Sequence, residues 1–485
     1  MRFSLKHTQL ALRNSTTRIA FRYGSACLTA CPQAVLAVTI ETPAGLQCGY
    51  SGDCLPPSWF DKTPGVAYSQ QIDDMLAVTH LAVDAFLDEA ASPVEMFPAL
   101  LAVNERVHRT AGEQGHCELL ASFGVSMVER AVMDALARAA GMSFAQAVRS
   151  NLYAISPGEV HGELAGFTPA DWLPVEPLSS VFVRHTVGLG DQLTAGEIPA
   201  GERLDDGFPQ ALEQYIEQTG TRYFKVKVSN QLDVDRDRLA TIAALCERHL
   251  GADYRLTLDG NEQYTQIDDL LALLDSLRAA PGLATLLDNI LCIEQPLHRS
   301  VALDPQYAEG IQRLCGWKPV ILDESDGTLT TYREAIGFGY RGVSSKNCKG
   351  PTKSLLNAGL TWLANDRGQR DDCLMTGEDL CSVGVIPVQA DLALAATLGL
   401  SHVERNGHHY HPGLSYLPFA EQEAALAAHG DFYAEQHGRV SPRLVDGKFQ
   451  IASLHCPGFG FAVEPDINTM TPADEWQYES LGIME

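Results

Sequence analysis

The chain lacks any apolar run approaching the roughly 20 residues that a membrane helix needs. Its N-terminal MRFSLKHTQLALRNSTTR has neither the apolar stretch nor the cleavage site of a secretory signal. That segment is basic and amphipathic, as a transit segment would be, but the expectation for the chain is a cytoplasmic protein. Positive charge is scarce: 35 Lys and Arg stand against 61 Asp and Glu, a net −26 at pH 7. No basic run is long enough to form a nucleic-acid patch, so neither nucleic acid nor an anionic membrane is an expected partner. A small anionic substrate is not excluded, because a metal and a few lysines reverse the sign locally. No CxxC pair occurs among the twelve cysteines, which read as reduced thiols. Cys27, Cys31, Cys48 and Cys54 cluster in sequence, but their spacings match no common zinc module. There is no GxGxxG, no phosphate-binding loop and no GxSxG elbow. His161-Gly162-Glu163 and His402-Val403-Glu404 are HxE pairs without the PCxxC that a zinc deaminase requires.

What is present is enough apolar material for a large core, 45% of 485 residues. Residues 1 to about 60 alternate in the β manner, with a hairpin turn at ETPAGL. Helices follow to about 155. VERAVMDALARAAGM is the clearest, with Val128, Val132, Leu136 and Ala139 on one face and Gly141 as a stop. From about 178 the pattern changes to strand–helix alternation. Apolar or β-branched runs recur at SVFVRHTV, YFKVKV, RLTLD, ILCIE, PVILD, GVSS, CLMT and SHVE. Short parallel strands alternating with helices in this way predict a (β/α)8 barrel. The expected organisation is an α+β capping domain over 1–177, the barrel over 178–410, and a C-terminal segment over 411–485 that packs back on the cap.

Three of the predicted strands end in a carboxylate: Asp259 in LTLDGNE, Glu294 in CIEQP and Asp323 in ILDES. They stand roughly thirty residues apart, the length of one strand–helix repeat. A barrel brings such strand ends to one mouth. Any one of these acids alone reads as a helix cap. Three in consecutive repeats read as a cation site, because converging carboxylates resist ionising together unless a cation lies between them. Oxygen donors favour Mg²⁺, with Mn²⁺ as the alternative. Asp323 is preferred to Glu324 as a ligand, since neighbours on a strand face opposite ways. Asn261 and Glu324 stand close enough to support the ligands or replace one.

Lysines flank the acids. Lys225 and Lys227 are two apart on one strand and share its face. As neighbouring cations they are expected to lower each other's pKa towards that of a base. Lys346 follows GVSS one repeat beyond the last acid, with Lys349 as the runner-up in KNCKG. A proton α to a carboxylate is too weakly acidic for a side-chain base alone, whose contribution is roughly 10²–10⁴-fold. The dianionic enolate needs direct charge stabilisation, which a metal supplies as a Lewis acid. Lysines on two sides then allow removal from one face and delivery to the other.

In their order these motifs resemble the enolase superfamily, in its mandelate racemase/muconate lactonising branch. The match covers most of the chain, from the capping-domain helix VERAVMDALARAAGM through KVKV, Asp259, IEQP, LDES and SSKNCKG. The resemblance implies Asp259, Glu294 and Asp323 as Mg²⁺ ligands, Lys227 and Lys346 as the acid/base pair, and Lys225 as a binder of the substrate carboxylate. It implies racemisation or epimerisation, cycloisomerisation or dehydration of a small carboxylate, and a homo-oligomer. A lysine on the sixth strand favours the muconate lactonising, dipeptide epimerase and o-succinylbenzoate synthase type. Mandelate racemase-type sites and acid-sugar dehydratases place a His on the seventh strand, where this chain reads MTGEDL. Substrate choice in the family comes from cap loops and the last strand ends. Here these are the segments around Tyr23, Tyr50 and Trp59, with Glu378, Asp379, Glu404 and His408. The neighbouring His409 and His411 read, with His408, as a solvated loop. The chain departs from the family's IKxxKxGG at SSKNCKGPT, and its eighth strand end, HVERNGHHYHPG, matches no known specificity signature. A non-catalytic metal-binding barrel is the alternative outside enzymes, because fold and motif do not by themselves prove turnover.

Overall fold

The computed structural model describes residues 1–23 and 26–483; the side chains of Tyr23 and Ala26 lie outside the described part. Strands β1 (Arg2–Tyr23), β2 (Ala26–Thr42) and β3 (Gly45–Cys54) form an antiparallel sheet, with the short β4 (Val94–Glu95) against the start of β1. The basic N-terminal segment is therefore a strand. Its Phe3, Leu5, Leu10 and Leu12 are buried, and its cationic side chains take the other positions. The β2–β3 turn falls at residues 43–44, inside the expected ETPAGL. Helices α1 (Tyr68–Glu89), α2 (Met96–Glu113) and α3 (Glu118–Ala140) complete the cap.

Helix α3 stops at Gly141, whose φ of 65° is left-handed and costs glycine nothing. The helix is buried from Leu119 to Ala137, on every face and not on one stripe only. It is enclosed because β3 comes down on it: a Cβ on Gly49 would stand 2.3 Å from the Ala131 carbonyl oxygen, so only glycine permits the approach.

Eight parallel strands follow: β5 (Ser180–Val187), β6 (Tyr223–Lys227), β7 (Arg255–Asp259), β8 (Ile290–Glu294), β9 (Val320–Leu322), β10 (Gly342–Ser345), β11 (Leu374–Gly377) and β12 (His402–Glu404). Each coincides with one of the apolar runs read from the sequence. They pair in chain order and close into a barrel through β12 and β5, with Val403 opposite Val183. The eighth repeat is irregular, its strand being followed by a single helical turn, Gly407–Tyr410. Among the described residues no helix is long and apolar enough to cross a membrane.

The C-terminal segment touches both halves. Lys448–Gln450 pairs antiparallel with β5, and Thr471–Pro472 pairs with β1. Phe459 stacks on Phe144 at 3.8 Å. One apolar core joins the cap to β5 and β12, and a second lies around β6 to β10.

Candidate active site

Every barrel strand points the same way, so every strand ends at the same mouth. On β6 the two-residue period sends Phe224 and Val226 into the apolar layer and Lys225 and Lys227 into the barrel. Lys225 is buried, and its ammonium reaches Glu294 at 2.6 Å, Glu404 at 2.9 Å, Glu378 at 3.0 Å and Asp259 at 3.1 Å. Lys227 pairs with Asp259. Across the mouth Lys346 binds Asp323 at 2.8 Å and Glu378 at 2.9 Å. Lys349 donates to the Asp323 carbonyl at 2.6 Å and to Ser344 Oγ at 2.8 Å, and its ammonium stands 2.8 Å from Asp323 Oδ1. It therefore holds Asp323 from behind and does not line the cavity.

The lysine pKa values are not lowered, contrary to the expectation. Burial does disfavour the charge on Lys225, Lys227 and Lys346, yet all three are raised. The physical reason is that the attraction of the surrounding carboxylates outweighs both burial and the like charge of a neighbouring lysine. The same contacts hold Asp323 and Glu378 below the usual carboxylate range, against burial. Glu294 goes the other way. Burial and the charges of Asp259 and Glu378 push it well above that range, and its Oε2 is buried without a hydrogen-bond partner.

Glu294, Asp323 and Glu378 offer oxygens that lie within 4.8 Å of one another. This differs from the expected trio in one member. Asp259 adjoins Glu294 in the register and shares Lys225 with it, but its carboxylate is turned to Lys225 and Lys227. Glu378, expected to touch substrate, instead lies beneath the cavity, fixed by Arg184 at 2.7 Å and Thr376 at 3.0 Å. The all-oxygen donor set and the orphaned Glu294 Oε2 fit a hard divalent cation. Glu294 and Asp323 would hold it, with Asp259 or Glu378 completing the set.

Above this floor lies a cavity that opens to solvent. Lys225, Lys227, Asp323, Glu324, Lys346 and Glu404 form its base, and Phe21, Pro56, Trp59, Leu380 and Tyr410 supply apolar walls. Asp379 and Asn261 also face it. Asn261 donates to Glu324 Oε1 at 3.2 Å, and Arg405 holds Asp379 at 3.0 Å. Thr186 and Asn406 orient Glu404 at 2.6 and 3.0 Å. The Trp59 ring covers the Lys346 ammonium at 5.0 Å.

Several expected positions fall elsewhere. Tyr50 is not at the cavity: it lies in the cap, where its hydroxyl reaches Glu464 at 3.3 Å. The side chain of Tyr23 is outside the described residues. Cys31 and Cys54 are buried while Cys27 and Cys48 are exposed, so the four do not converge. The histidines after β12 are not solvated. His409 and His411 are buried; His408 packs edge-on against His185 and Phe449, and His409 against His185 and Tyr215. The residues missed in the sequence are Arg184, Thr186, Lys62 and Arg299. An arginine inside the apolar run of β5 was the one available signal, since a buried arginine requires a carboxylate partner.

Burial lowers the pKa of His185 and His402 to about 3 and that of His411 to about 4. These rings stay neutral in the fold while the unfolded chain takes up protons below about 6.5. Each contribution to stability is therefore complete above pH 6.5. It is lost on acidification at up to about 1.4 kcal/mol per pH unit until the folded value is reached. Their imidazole NMR signals should show no titration between pH 8 and pH 5; a midpoint near 6.5 would contradict the burial.

No protein-family model matches the chain, and no curated protein matches it in sequence. Solved structures do match. An enolase from Bradyrhizobium, complexed with magnesium and mandelic acid, is 16% identical, covers 95% of this chain and 96% of its own, and has a TM-score of 0.56. A muconate cycloisomerase from Pseudomonas fluorescens is 17% identical, with 96% and 97% covered and a TM-score of 0.54. A dipeptide epimerase from Enterococcus faecalis, complexed with Mg and L-Leu-L-Tyr, is 14% identical, with 94% and 99% covered and a TM-score of 0.59. The capped barrel that presents these lysines and carboxylates is thus the fold of the mandelate racemase/muconate lactonising enzymes of the enolase superfamily.

Proposed function

We propose that this protein is an enzyme of that superfamily which abstracts the proton α to a carboxylate. The observation that carries the reading is topological. In a closed ring of eight strands, β6 and β10 are four apart in either direction. Lys227 at the end of β6 and Lys346 just after β10 therefore enter one cavity from opposite sides. The carboxylates of the intervening strands β7, β8 and β9 lie between them.

Magnesium or manganese, when bound by Glu294, Asp323 and their neighbour, would supply Lewis-acid stabilisation of the negative charge that develops on the substrate. The remaining work falls to the chain. Lys225, tethered by four carboxylates, places a fixed positive charge on the floor where the substrate carboxylate enters. Lys227 has a single carboxylate partner and the like charge of Lys225 beside it, so it is the amine more readily made neutral and serves as base. Lys346, between Asp323 and Glu378 and under Trp59, is the more firmly held ammonium and serves as the opposing donor; for a substrate of the other hand the two lysines exchange roles. Apolar walls fit a substrate with an apolar body, and they exclude water from the carbanionic centre. Racemisation or epimerisation, cycloisomerisation and dehydration all begin with this step. A dehydratase using a seventh-strand His is disfavoured, because that strand end carries Glu378 and Asp379.

The test is α-proton exchange in D₂O, followed by NMR over a panel of acid sugars, N-acyl amino acids and dipeptides. With Mg²⁺ at least one carboxylate should lose its α-proton signal, and a chelator should stop the exchange. A protein that binds Mg²⁺ but exchanges none of the panel would refute the enzyme reading in favour of a binding barrel.

A further inference from the structure

The loop after β7 runs through two consecutive non-glycine residues in left-handed backbone, Asn261 at φ 45° and Glu262 at φ 64°. Such a conformation costs energy and persists only where the surroundings enforce it. Two sets of contacts enforce it here. Backbone bonds zip this loop to the one after β8, from Gly260 N to Glu294 O at 3.0 Å and from Glu262 N to Gln295 O at 3.1 Å. The Glu262 carboxylate, itself buried, is then gripped by Arg299. Oε1 accepts from the Arg299 backbone N–H at 2.7 Å and from Nε at 2.8 Å, and Oε2 accepts from Nη2 at 2.9 Å.

The far side of that guanidinium faces the cap. Nη1 donates to the Phe60 carbonyl at 2.7 Å, and Nη2 donates to the Trp59 carbonyl at 3.0 Å. Phe60 is buried against Phe123, which anchors the segment in the cap's own core. Lys62 reaches back to Glu262, and its ammonium stands 3.6 Å from Glu324 in the cavity. Arg299 is thus the polar joint between the loops that follow Asp259 and Glu294 and the cap segment that roofs the site.

We propose that Arg299 is a positioning residue that latches cap residues 55–67 onto the barrel, so that the Trp59 ring lies over the Lys346 ammonium and Lys62 lies beside Glu324. The proposal rests on the reading of the cavity as a proton-abstraction site. Planarity is essential to it: a guanidinium satisfies a carboxylate on one edge and two carbonyls on the other, which a lysine ammonium cannot do.

Hydrogen–deuterium exchange on the full-length protein tests the latch without a substrate. In Arg299→Ala, and equally in Arg299→Lys, the amides of residues 55–67 should exchange at least about tenfold faster, the scale set by losing a charge-assisted hydrogen bond. Peptides from β6 and β10 should be unchanged. If Arg299→Ala does not fold, Glu262→Gln decides, since it keeps the shape, removes the charge, and should give the same localised acceleration. Unchanged exchange in 55–67, or uniform acceleration throughout the chain, would overturn the latch. On a carboxylate found to exchange its α-proton, Arg299→Ala and Trp59→Leu should each lower kcat/KM about tenfold, and the double variant should be no worse than the worse single one. Additive losses would assign Arg299 a merely structural role. Localised loss of protection with no α-proton exchange on any carboxylate would keep the latch and sink the proposed function, so the two failures are distinguishable.

Discussion

Replacing Lys346 by alanine should lower α-proton exchange of the responsive carboxylate by two to four orders of magnitude, the usual worth of a positioned acid or base. Lys227→Ala should do the same. The two losses should not be equivalent, however. If the substrate is offered as separate enantiomers, each variant should show that loss for the hand whose α-hydrogen faces the missing amine and keep exchange of the hand that faces the surviving one. This follows from the placement of β6 and β10 on opposite sides of the ring. Equal loss for both hands in both variants would mean that the amines act on one face, and would contradict the opposed arrangement. Binding of Mg²⁺, measured by calorimetry, should survive both substitutions, because neither lysine is offered as a ligand. That separates loss of chemistry from loss of the cation site.

The second large effect lies in the cap. Arg130 is wholly buried in α3, where it donates to the Ser126 carbonyl at 3.1 Å, the Gly52 carbonyl at 2.9 Å and Asp53 Oδ2 at 3.0 Å. Burial already lifts Asp53 to about 6, against the pull of Arg130. Arg130→Ala would leave that carboxylate buried and unpaired, a defect that costs about 3–5 kcal/mol. Chemical denaturation at pH 7 should show a loss of that size, whereas Asp53→Leu combined with Arg130→Met should cost much less, because no lone charge remains. The sign of the pH dependence follows. Without arginine the folded pKa of Asp53 rises further above its unfolded value, so the deficit is full above the folded pKa and shrinks as pH falls and the acid protonates. A deficit that grew on acidification would point to lost packing instead.

Much of this molecule was legible along the chain. The eight barrel strands coincide with apolar runs because each is buried on both faces and needs no alternation to reveal it. The acids and lysines were visible because a strand–helix repeat places its functional residue at the same point each time. Less was legible wherever the answer depended on what covers what. Tyr50 alternates correctly on β3, but its hydroxyl meets Glu464 of the C-terminal segment and not the cavity. The histidines after β12 look solvated in a polar stretch, yet His185, Tyr215 and Phe449, from three other parts of the chain, pack around His408 and His409. Glu378 could be placed at a strand end, yet its position beneath Lys225 and Lys346 follows from Arg184 on β5, a neighbour only through barrel closure.

By itself, then, the amino-acid order determined which residues stand at strand ends and in which sequence they follow one another, since local periodicity suffices for that. Only the tertiary structure decided that Lys227 and Lys346 oppose each other, that Glu378 joins the acidic cluster, and that Arg299 draws Trp59 over the site. Each of those relations exists across a closure or a domain contact. Its energy comes from groups distant in sequence, and no local pattern records it.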